Sequence, residues 1–407
     1  MADYVVDSLG QVTVDELGTD AGRLTTTENR ALRSIAVLFW VNGAVLASYI
    51  PRLPGIRDRL DLDLSTIGTI LAVATGAGLL GSIAVGPAVE RFPTRNVMLA
   101  GSLTLTVLLP FVSLVPNAAA LLLVLVVLSI ADVFTDVAMN IQGSFLSTRR
   151  SVPIMQRLHA MWSLGTVVGG LVAAAMAALN VDLRVHLLGA SIFLFLALLY
   201  VAPGLLPGDE ATSDRGEAPA SAGSSWPVVL TFAALGAAAI VPEMINSDWA
   251  AFRLTDDLGT SNGVAGMGYV AFTVGMVTGR LAGDSAVHRF GHRRVLRGAT
   301  VLAGLGITVA TLIPAVPAVF VGLLVAGTGV SVMFPELYDA AAQHSRPGKA
   351  LGGLTAGSRI ALLAAPLLVG VLADTDTFTV GAAIALATIP GALTVLWLSA
   401  KLPSRPR

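Results

Sequence analysis

Residues 118–146 read AAALLLVLVVLSIADVFTDVAMNIQGSFL, an apolar run interrupted by only a few polar residues. A helix of roughly 20 apolar residues crosses a hydrocarbon core about 30 Å thick. Inside lipid every backbone polar group needs a partner, so only helices or closed barrels span a membrane. This stretch therefore predicts a transmembrane helix.

Comparable stretches recur along the 407-residue chain, separated by short loops that are basic or contain Pro and Gly. Of all residues, 55% are hydrophobic and 13% are charged, whereas soluble proteins average about 25% charged residues. We expect an all-α integral membrane protein with twelve transmembrane helices. The predicted spans are residues 32–50, 65–89, 96–114, 118–146, 155–179, 185–206, 226–250, 262–287, 294–313, 316–341, 350–373 and 377–400.

The composition argues against several classes of protein. A net charge of -1 leaves no basic footprint for nucleic acid. The chain has no Cys and only five dispersed His, so it offers neither thiolates nor zinc-ligand spacing. It contains no complete phosphate-binding loop. We expect no enzymatic activity, no metal and no cofactor; the predicted partners are the lipid bilayer, a small-molecule substrate and protons, and the chain is predicted to be a monomer.

The distribution of basic residues predicts the orientation. If the N-terminus is cytoplasmic, the opposite side carries only Arg52, Arg57, Arg59, Arg184 and Arg253, and two more Arg lie inside spans. All the other Lys and Arg then face the cytoplasm, as the positive-inside rule requires. We expect a multi-pass protein of the cytoplasmic membrane with both termini inside. Residues 1–30 lack the pattern of a signal peptide and are predicted to be a disordered cytosolic tail.

The chain divides into two related halves. The longest interruption is residues 207–225, PGDEATSDRGEAPASAGSS, which is too polar to fold alone and is predicted to be a cytosolic linker. It separates six spans in residues 31–206 from six in residues 226–402. The second span ends in GPAVERFPTR (86–95) and the eighth in GDSAVHRFGHRR (283–294), so an Arg-Phe pair recurs. These observations predict a duplicated six-helix unit.

Both segments resemble the loop signature of the major facilitator superfamily, G-x-x-x-D-R-x-G-R-R. The resemblance covers residues 30 to 402 and implies two pseudo-symmetric six-helix bundles that alternate in access. In the first copy, Gly86 and Pro93 stand at the two glycine positions. In the second copy, Asp284 stands at the first glycine position, His288 at the aspartate position and Gly291 at the second glycine position. The residues that the resemblance assigns to conformational control are Glu90, Arg91, Arg95, Asp284, Arg289 and Arg293.

A narrower resemblance is carried by further motifs. They are similar to the branch of the superfamily that holds the MosC and YbjJ-like membrane proteins, distantly akin to fucose-proton symporters. The resemblance implies a fold and a class of mechanism and does not name a ligand. The motifs are YIPRLPGIRDRLDLDLSTIG (49–68), DVAMNIQG (136–143), HAMWSLG (159–165), Glu243 with Asp248 and Trp249, and GRLAGD (279–284).

Polar residues inside spans are costly and therefore indicate function or a partner. Asp132, Asp136 and Asn140 recur every four residues and form one stripe, which is explained either by a central cavity or by an interhelical hydrogen-bond stripe. Glu243 and Asn246 lie one turn apart after Pro242, a residue that can break a helix beside a binding site. A carboxyl group in a low-dielectric interior favours its neutral, protonated form, which suits a proton carrier.

Arg359 is predicted to need a carboxylate partner, because a buried Arg is rarely unpaired. Glu336 or Asp339 on the preceding span is the expected partner. His159 is either a neutral buried histidine or a member of the proton pathway. The complete set of proton-coupling candidates is Asp136, Glu243, Asp132, Glu336 and His159.

Candidates for substrate contact share a polar or aromatic side chain inside a span. Asn42 and Tyr49 are seven residues apart and lie on one helix face, although core packing explains them nearly as well. Trp249 is equally explained as an interfacial aromatic residue. The outer run from Arg52 to Asp63 is expected to form solvated pairs, with Arg52 as a gate. The substrate-binding candidates are Asn42, Tyr49, Asn140, Trp162, Asn246, Trp249 and Arg359.

These features predict a secondary active transporter that moves a small polar solute, sugar-like or polyol-like, by proton-coupled alternating access. An alternative in the same fold is a proton-driven exporter of an amphiphilic metabolite or drug. A different class is a non-transporting membrane receptor or an integral-membrane enzyme. The sequence contains no catalytic constellation, which argues against this class.

Overall fold

The computed structural model describes residues 25–150, 154–207 and 226–399, and twelve long apolar helices lie within this part of the chain. The predicted cytosolic tail and linker fall mostly outside the described residues. The helices are α1 (Thr26–Tyr49), α2 (Leu64–Arg91), α3 (Thr94–Leu108), α4 (Ala118–Arg150), α5 (Met155–Ala178), α6 (Leu183–Val201), α7 (Trp226–Phe252), α8 (Asn262–Phe290), α9 (His292–Leu312), α10 (Val316–Ala342), α11 (Pro347–Ala373) and α12 (Val380–Ser399).

Helix α1 begins at Thr26, ahead of the predicted start at residue 32. Thr25 and Glu28 form a capping box, in which the Glu28 amide donates to Thr25 Oγ1 (3.2 Å) and the Thr25 amide donates to Glu28 Oε2 (2.8 Å). Glu28 also pairs with Arg149 at the end of α4 at 3.0 Å. The low hydropathy of this polar first turn places it in the predicted tail of residues 1–30. Capping nevertheless stabilises it as helix.

Two contacts between helices join the halves. Helices α2 and α11 approach so closely that a Cβ atom on Gly68 would lie 2.9 Å from Cα of Gly370. Helices α5 and α8 meet in the same way, since a Cβ on Gly263 would lie 2.6 Å from Cα of Ala178. Small residues permit such close packing in membranes, where the packing itself drives helix association. The halves are therefore tightly joined along two seams.

The halves also meet at the end where α1 and α7 finish, which we call the distal end. After α1 the chain forms a short helical turn and then a helix, Leu53–Leu60, that carries Arg57. The Arg57 guanidinium pairs with the Asp256 carboxylate of the other half, and it lies 5.4 Å from the centroid of the Phe252 ring. The predicted pair within the run is present, since Arg57 Nη2 lies 2.7 Å from Oδ1 of the exposed Asp58. Packing of the two halves leaves only 15% of the Arg57 side chain exposed, so Arg57 itself is not solvated as predicted.

A second ion pair at the distal end is internal to the C-terminal half. Arg253 and Asp257 lie in the π-helical turn that follows α7, and Arg253 Nη1 is 2.6 Å from Asp257 Oδ2. Asp257 also accepts the backbone N–H groups of Val380 (3.0 Å) and Gly381 (2.8 Å) at the start of α12. The pair thus ties the end of α7 to α12.

Candidate functional site

Three side chains of the N-terminal half form a hydrogen-bonded chain near the middle of their spans. Asn42 on α1 donates through Nδ2 to Asp132 Oδ1 on α4 at 2.8 Å. The indole N–H of Trp162 on α5 donates to Asn42 Oδ1 at 2.9 Å. Asn42 is 3% exposed, so its amide is fixed by both bonds. The amide holds the Asp132 carboxylate and the Trp162 ring in one defined arrangement.

The C-terminal half contributes an ion pair to the same region. Arg280 Nη2 on α8 donates to Glu243 Oε1 on α7 at 3.3 Å. Arg280 Nη1 donates to Ser163 Oγ on α5 at 3.2 Å, and its guanidinium carbon lies 5.9 Å from the Trp162 ring centroid. Arg280 therefore bridges the two halves and links Glu243 to the Trp162–Asn42–Asp132 chain. We call these six residues, Asn42, Asp132, Trp162, Ser163, Glu243 and Arg280, the central network.

The ion pair remains partly accessible despite its depth. Glu243 and Arg280 each lie more than two helical turns from either end of their helices. Even so, 35% of the Arg280 side chain and 29% of the Glu243 side chain are exposed. Arg280 contacts Ser163 and Trp162 of the other half, so its partly exposed guanidinium lies where the two halves meet. A guanidinium, a carboxylate and an indole ring come together there.

Arg280 was missed as a site residue by sequence reasoning. Its position inside a span was evident, and an intramembrane Arg is itself a signal of function. Sequence spacing does not show that it meets Glu243, which lies 37 positions away on the neighbouring helix.

Asp136, Asn140 and His159 lie beside the central network. Asn140 Nδ2 donates to Asp136 Oδ1 at 2.9 Å and to the Asp136 carbonyl at 2.8 Å. The imidazole of His159 packs edge-on against Phe39, with ring centroids 5.4 Å apart, and lies within electrostatic range of Asp136 and Arg280. The structure brings these predicted candidates together on α4 and α5.

The expected partner of Arg359 is wrong. Arg359 Nη1 on α11 donates to Ser82 Oγ on α2, in the other half, at 2.9 Å. Glu336 instead lies with its Oε2 2.9 Å from His292 Nδ1 at the start of α9, and Asp339 lies 3.8 Å from the same nitrogen. The packing of α11 along α2 turns Arg359 toward the N-terminal half.

Other substrate-binding candidates are held in the protein interior. Asn246 is 1% exposed and donates through Nδ2 to the Pro242 carbonyl at 2.8 Å. Trp249 is fully buried and packs on Phe252, with ring centroids 5.3 Å apart, so it is not an interfacial residue. Tyr49 belongs to the same hydrophobic cluster as Trp249. Asn246 and Trp249 therefore support the helix that carries Glu243.

The two copies of the loop signature share one contact. Arg91 lies over the ring of Phe92, 5.6 Å from its centroid, and Arg289 lies over Phe290 at 5.4 Å. Arg95 Nη2 donates to the Ala202 carbonyl at 3.1 Å, which ties α3 to the end of α6. Of the other signature residues, Glu90 lies in the last turn of α2, Asp284 lies six residues before the end of α8, and Arg293 lies in the first turn of α9. The predicted gate residue Arg52 bonds the Val181 carbonyl of its own half at 3.2 Å, and it is Arg57 that crosses between the halves.

The described residues include no group of three or more His, Cys, Asp or Glu side chains placed to hold a metal ion. What they do place together is a set of hydrogen-bonding groups between two six-helix halves. This arrangement defines a polytopic membrane protein whose two halves share a network of polar and charged side chains.

Comparison with known proteins identifies the family. The family model of the Major Facilitator Superfamily matches residues 35–245 and 228–407, so the chain belongs to that transporter family. An uncharacterised MFS-type transporter of Yersinia pestis is 27% identical over 349 residues, which are 85% of this chain and 90% of the relative. The membrane protein MosC of Rhizobium meliloti is 25% identical over 322 residues, 79% of this chain and 78% of MosC. The predicted family resemblance is confirmed.

Solved structures show the same fold at low identity. The nucleoside transporter NupG superposes with a TM-score of 0.69 and 13% identity, covering 93% of this chain and 98% of NupG. A bacterial homologue of the human lysosomal transporter Spinster, in an inward-facing and occupied conformation, gives a TM-score of 0.67 and 15% identity over 93% of this chain and 95% of that protein. The predicted twelve-helix major facilitator fold is confirmed.

Proposed function

We propose that this protein is a secondary active transporter that moves a small polar solute, sugar-like or polyol-like, by proton-coupled alternating access. The observation that carries the proposal is the position of Arg280, which bonds Glu243 in one half and Ser163 in the other. A solute that replaces these bonds changes the attraction between the halves. A ligand shifts a conformational equilibrium only through such differential contacts.

Protonation of Glu243 is the proposed coupling step. While Glu243 is ionised, it holds Arg280 by charge as well as by the hydrogen bond. A proton on Glu243 removes the charge and releases the guanidinium toward Ser163, Trp162 and the solute. Asp136, close to His159, is the second candidate carrier. Sugar hydroxyl groups both donate and accept hydrogen bonds, which matches the partly exposed donor Arg280 and acceptor Glu243 of the network.

The proposal is tested by uptake into proteoliposomes. The substrate is first found by a thermal-shift screen of sugars, polyols, amines and drugs, because a ligand that binds only the folded state raises its melting temperature. Glu243→Gln and Asp136→Asn then mimic the protonated side chains. If either residue carries the proton, its mimic loses uphill accumulation in a pH gradient and keeps exchange at equal pH.

The matched control is Asp376→Asn, which makes the same chemical change in an exposed loop. Both mimics concentrating substrate as well as wild type would contradict the assignment, and Asp132, Glu336 and His159 would become the candidates. A screen dominated by amphiphilic drugs would contradict the solute class and favour the exporter.

We propose that the protein lies in the cytoplasmic membrane with both termini inside, from the distribution of Lys and Arg. The chain has no Cys, so single cysteines report the topology directly. Cysteines at Ser221 and Ser345 are expected to resist an impermeant thiol reagent in intact cells, whereas a cysteine at Asp376 is expected to react. Reaction at the first two sites would reverse the orientation.

A further inference from the structure

Three polar side chains lie on the distal side of the central network. Asp248 on α7 is five residues beyond Glu243, about 7.5 Å farther along the helix axis. Tyr49 lies at the end of α1 and Tyr269 on α8. Pro51, two residues after Tyr49, meets α8 three residues before Tyr269, since a Cβ on Gly266 would lie 3.4 Å from Pro51 Cβ. Trp249, the residue next to Asp248, shares a hydrophobic cluster with Tyr49.

These groups have no partners in the described part of the chain. Neither tyrosine hydroxyl nor the Asp248 carboxylate makes a hydrogen bond or ion pair there, although Tyr49 is only 9% exposed and Tyr269 only 3%. Their oxygens keep some solvent-accessible surface, so they are not completely sealed inside the protein. Unpaired polar groups in a protein interior are costly, and each calls for an explanation.

The three residues come from both halves. Tyr49 belongs to the N-terminal half and packs in one hydrophobic cluster with Ile245, Trp249 and Phe252 of the other. Tyr269 belongs to the C-terminal half and packs against α5, since a Cβ on Gly170 would lie 2.9 Å from its ring. A ligand held by all three groups would join the halves, as a transported solute must.

The charge of this region selects the chemistry of the ligand. Among the described residues Asp248 forms no ion pair with a basic side chain, in contrast to Glu243, which pairs with Arg280. A single carboxylate flanked by two phenol rings suits a protonated amine, which pairs with the carboxylate, donates to the hydroxyls and is attracted to ring faces.

We propose that Asp248, Tyr49 and Tyr269 form a second subsite that binds the protonated amino group of an organic ammonium ligand. The subsite rests on the proposed function only in that its ligand is the transported solute. The central network then binds the hydroxyl groups of the same molecule. The ammonium group supplies the counter-charge that no basic side chain of the described residues provides to the Asp248 carboxylate.

The test compares amines with alcohols of the same skeleton. Full-length protein in detergent is titrated with glucosamine and glucose, cyclohexylamine and cyclohexanol, and ethanolamine and ethylene glycol. Binding is followed by melting temperature and by tryptophan fluorescence. We expect at least one amine to bind wild type about tenfold or more tightly than its alcohol, the size of effect that one charge-assisted hydrogen bond gives.

Asp248→Asn is expected to abolish this preference, and Asp248→Glu, which keeps the charge, to retain it. Tyr49→Phe and Tyr269→Phe remove only a hydroxyl and are expected to weaken amine binding by a smaller factor. Asp376→Asn is the matched control and should behave as wild type. If Asp248→Asn does not fold, Asp248→Glu and the two Phe variants decide the question by the same comparison.

Three results would overturn the subsite: an amine preference that survives in folded Asp248→Asn, a wild type that responds to no amine, or an Asp248-dependent shift when sodium replaces potassium without any amine. The last would assign a metal cation to the position. These assays read binding alone, so their failure leaves the transport proposal standing. Failure of the Glu243 uptake test would likewise leave an observed amine preference intact.

Discussion

Two arginine–carboxylate pairs of the C-terminal half differ in almost every respect except their chemistry. Arg253 and Asp257 are 6% and 8% exposed, whereas Arg280 and Glu243 are 35% and 29% exposed. Arg253 also donates toward the Ala310 and Ile313 carbonyls, and Asp257 accepts two backbone amides. The first pair is saturated by its own half of the protein.

The Arg280–Glu243 pair makes fewer hydrogen bonds than the buried pair, and the bond within it is longer. Its only other hydrogen bond among the described residues is to Ser163 of the opposite half, and its distance of 3.3 Å is longer than the 2.6 Å of the buried pair. A saturated pair with no access fixes helices relative to one another. The Arg280–Glu243 pair, which is about one-third exposed, is the one that we propose responds to a proton or a solute.

The largest effect is expected at the buried pair. Asp257→Asn leaves the Arg253 charge buried without a counter-charge, and breaking such a pair costs about 3–5 kcal/mol. The variant is expected to show a strongly reduced melting temperature and folded yield in detergent. Gly381→Ala tests the same locus independently, since a Cβ there would lie 2.7 Å from Arg253 Nε. A normal melting temperature in both variants would remove the contrast between the pairs.

A smaller effect on stability and a larger one on transport are expected at the central pair. Arg280→Gln removes a partly solvated ion pair, and such pairs contribute about 0–1 kcal/mol. The variant should melt close to wild type and lose transport, because the bridge between Glu243 and Ser163 is gone. Melting and proteoliposome uptake are measured on the same preparation. A melting temperature as low as that of Asp257→Asn would show that this pair is structural as well.

The smallest effect is expected at the contact between halves, Arg57 with Asp256. Asp256→Asn weakens one partly exposed ion pair, so the distal end should open more often, by a factor of about five for 1 kcal/mol. A cysteine at Ile56, which is fully buried in the hydrophobic cluster that contains residues of both halves, should then react faster with a thiol reagent. The exchanged pair Arg57→Asp with Asp256→Arg should restore the slow rate. Equal rates in all three proteins would show that the ion pair does not hold this end.

The sequence predicted the spans well because hydropathy depends on local composition, and the errors lie where local composition misleads. Thr26 begins α1 through a capping box in a polar segment. Among the site candidates, Asp132, Glu243 and Trp162 do meet in the central network. Arg359 was given the wrong partner because sequence spacing shows which residues lie inside a span but not which neighbouring helix they face.

The sequence by itself determined the membrane class, the twelve helices and the division into two halves. The first two follow from the energy of placing a residue in lipid, which is a property of short segments. The third follows from the polar segment 207–225 and the repeated Arg-Phe segment. The tertiary structure alone decided that Arg280 joins Glu243 to Ser163 and that Arg57 reaches Asp256 across the halves. Such pairings depend on how helices far apart in sequence pack, because small residues at the crossing points set their separation and rotation.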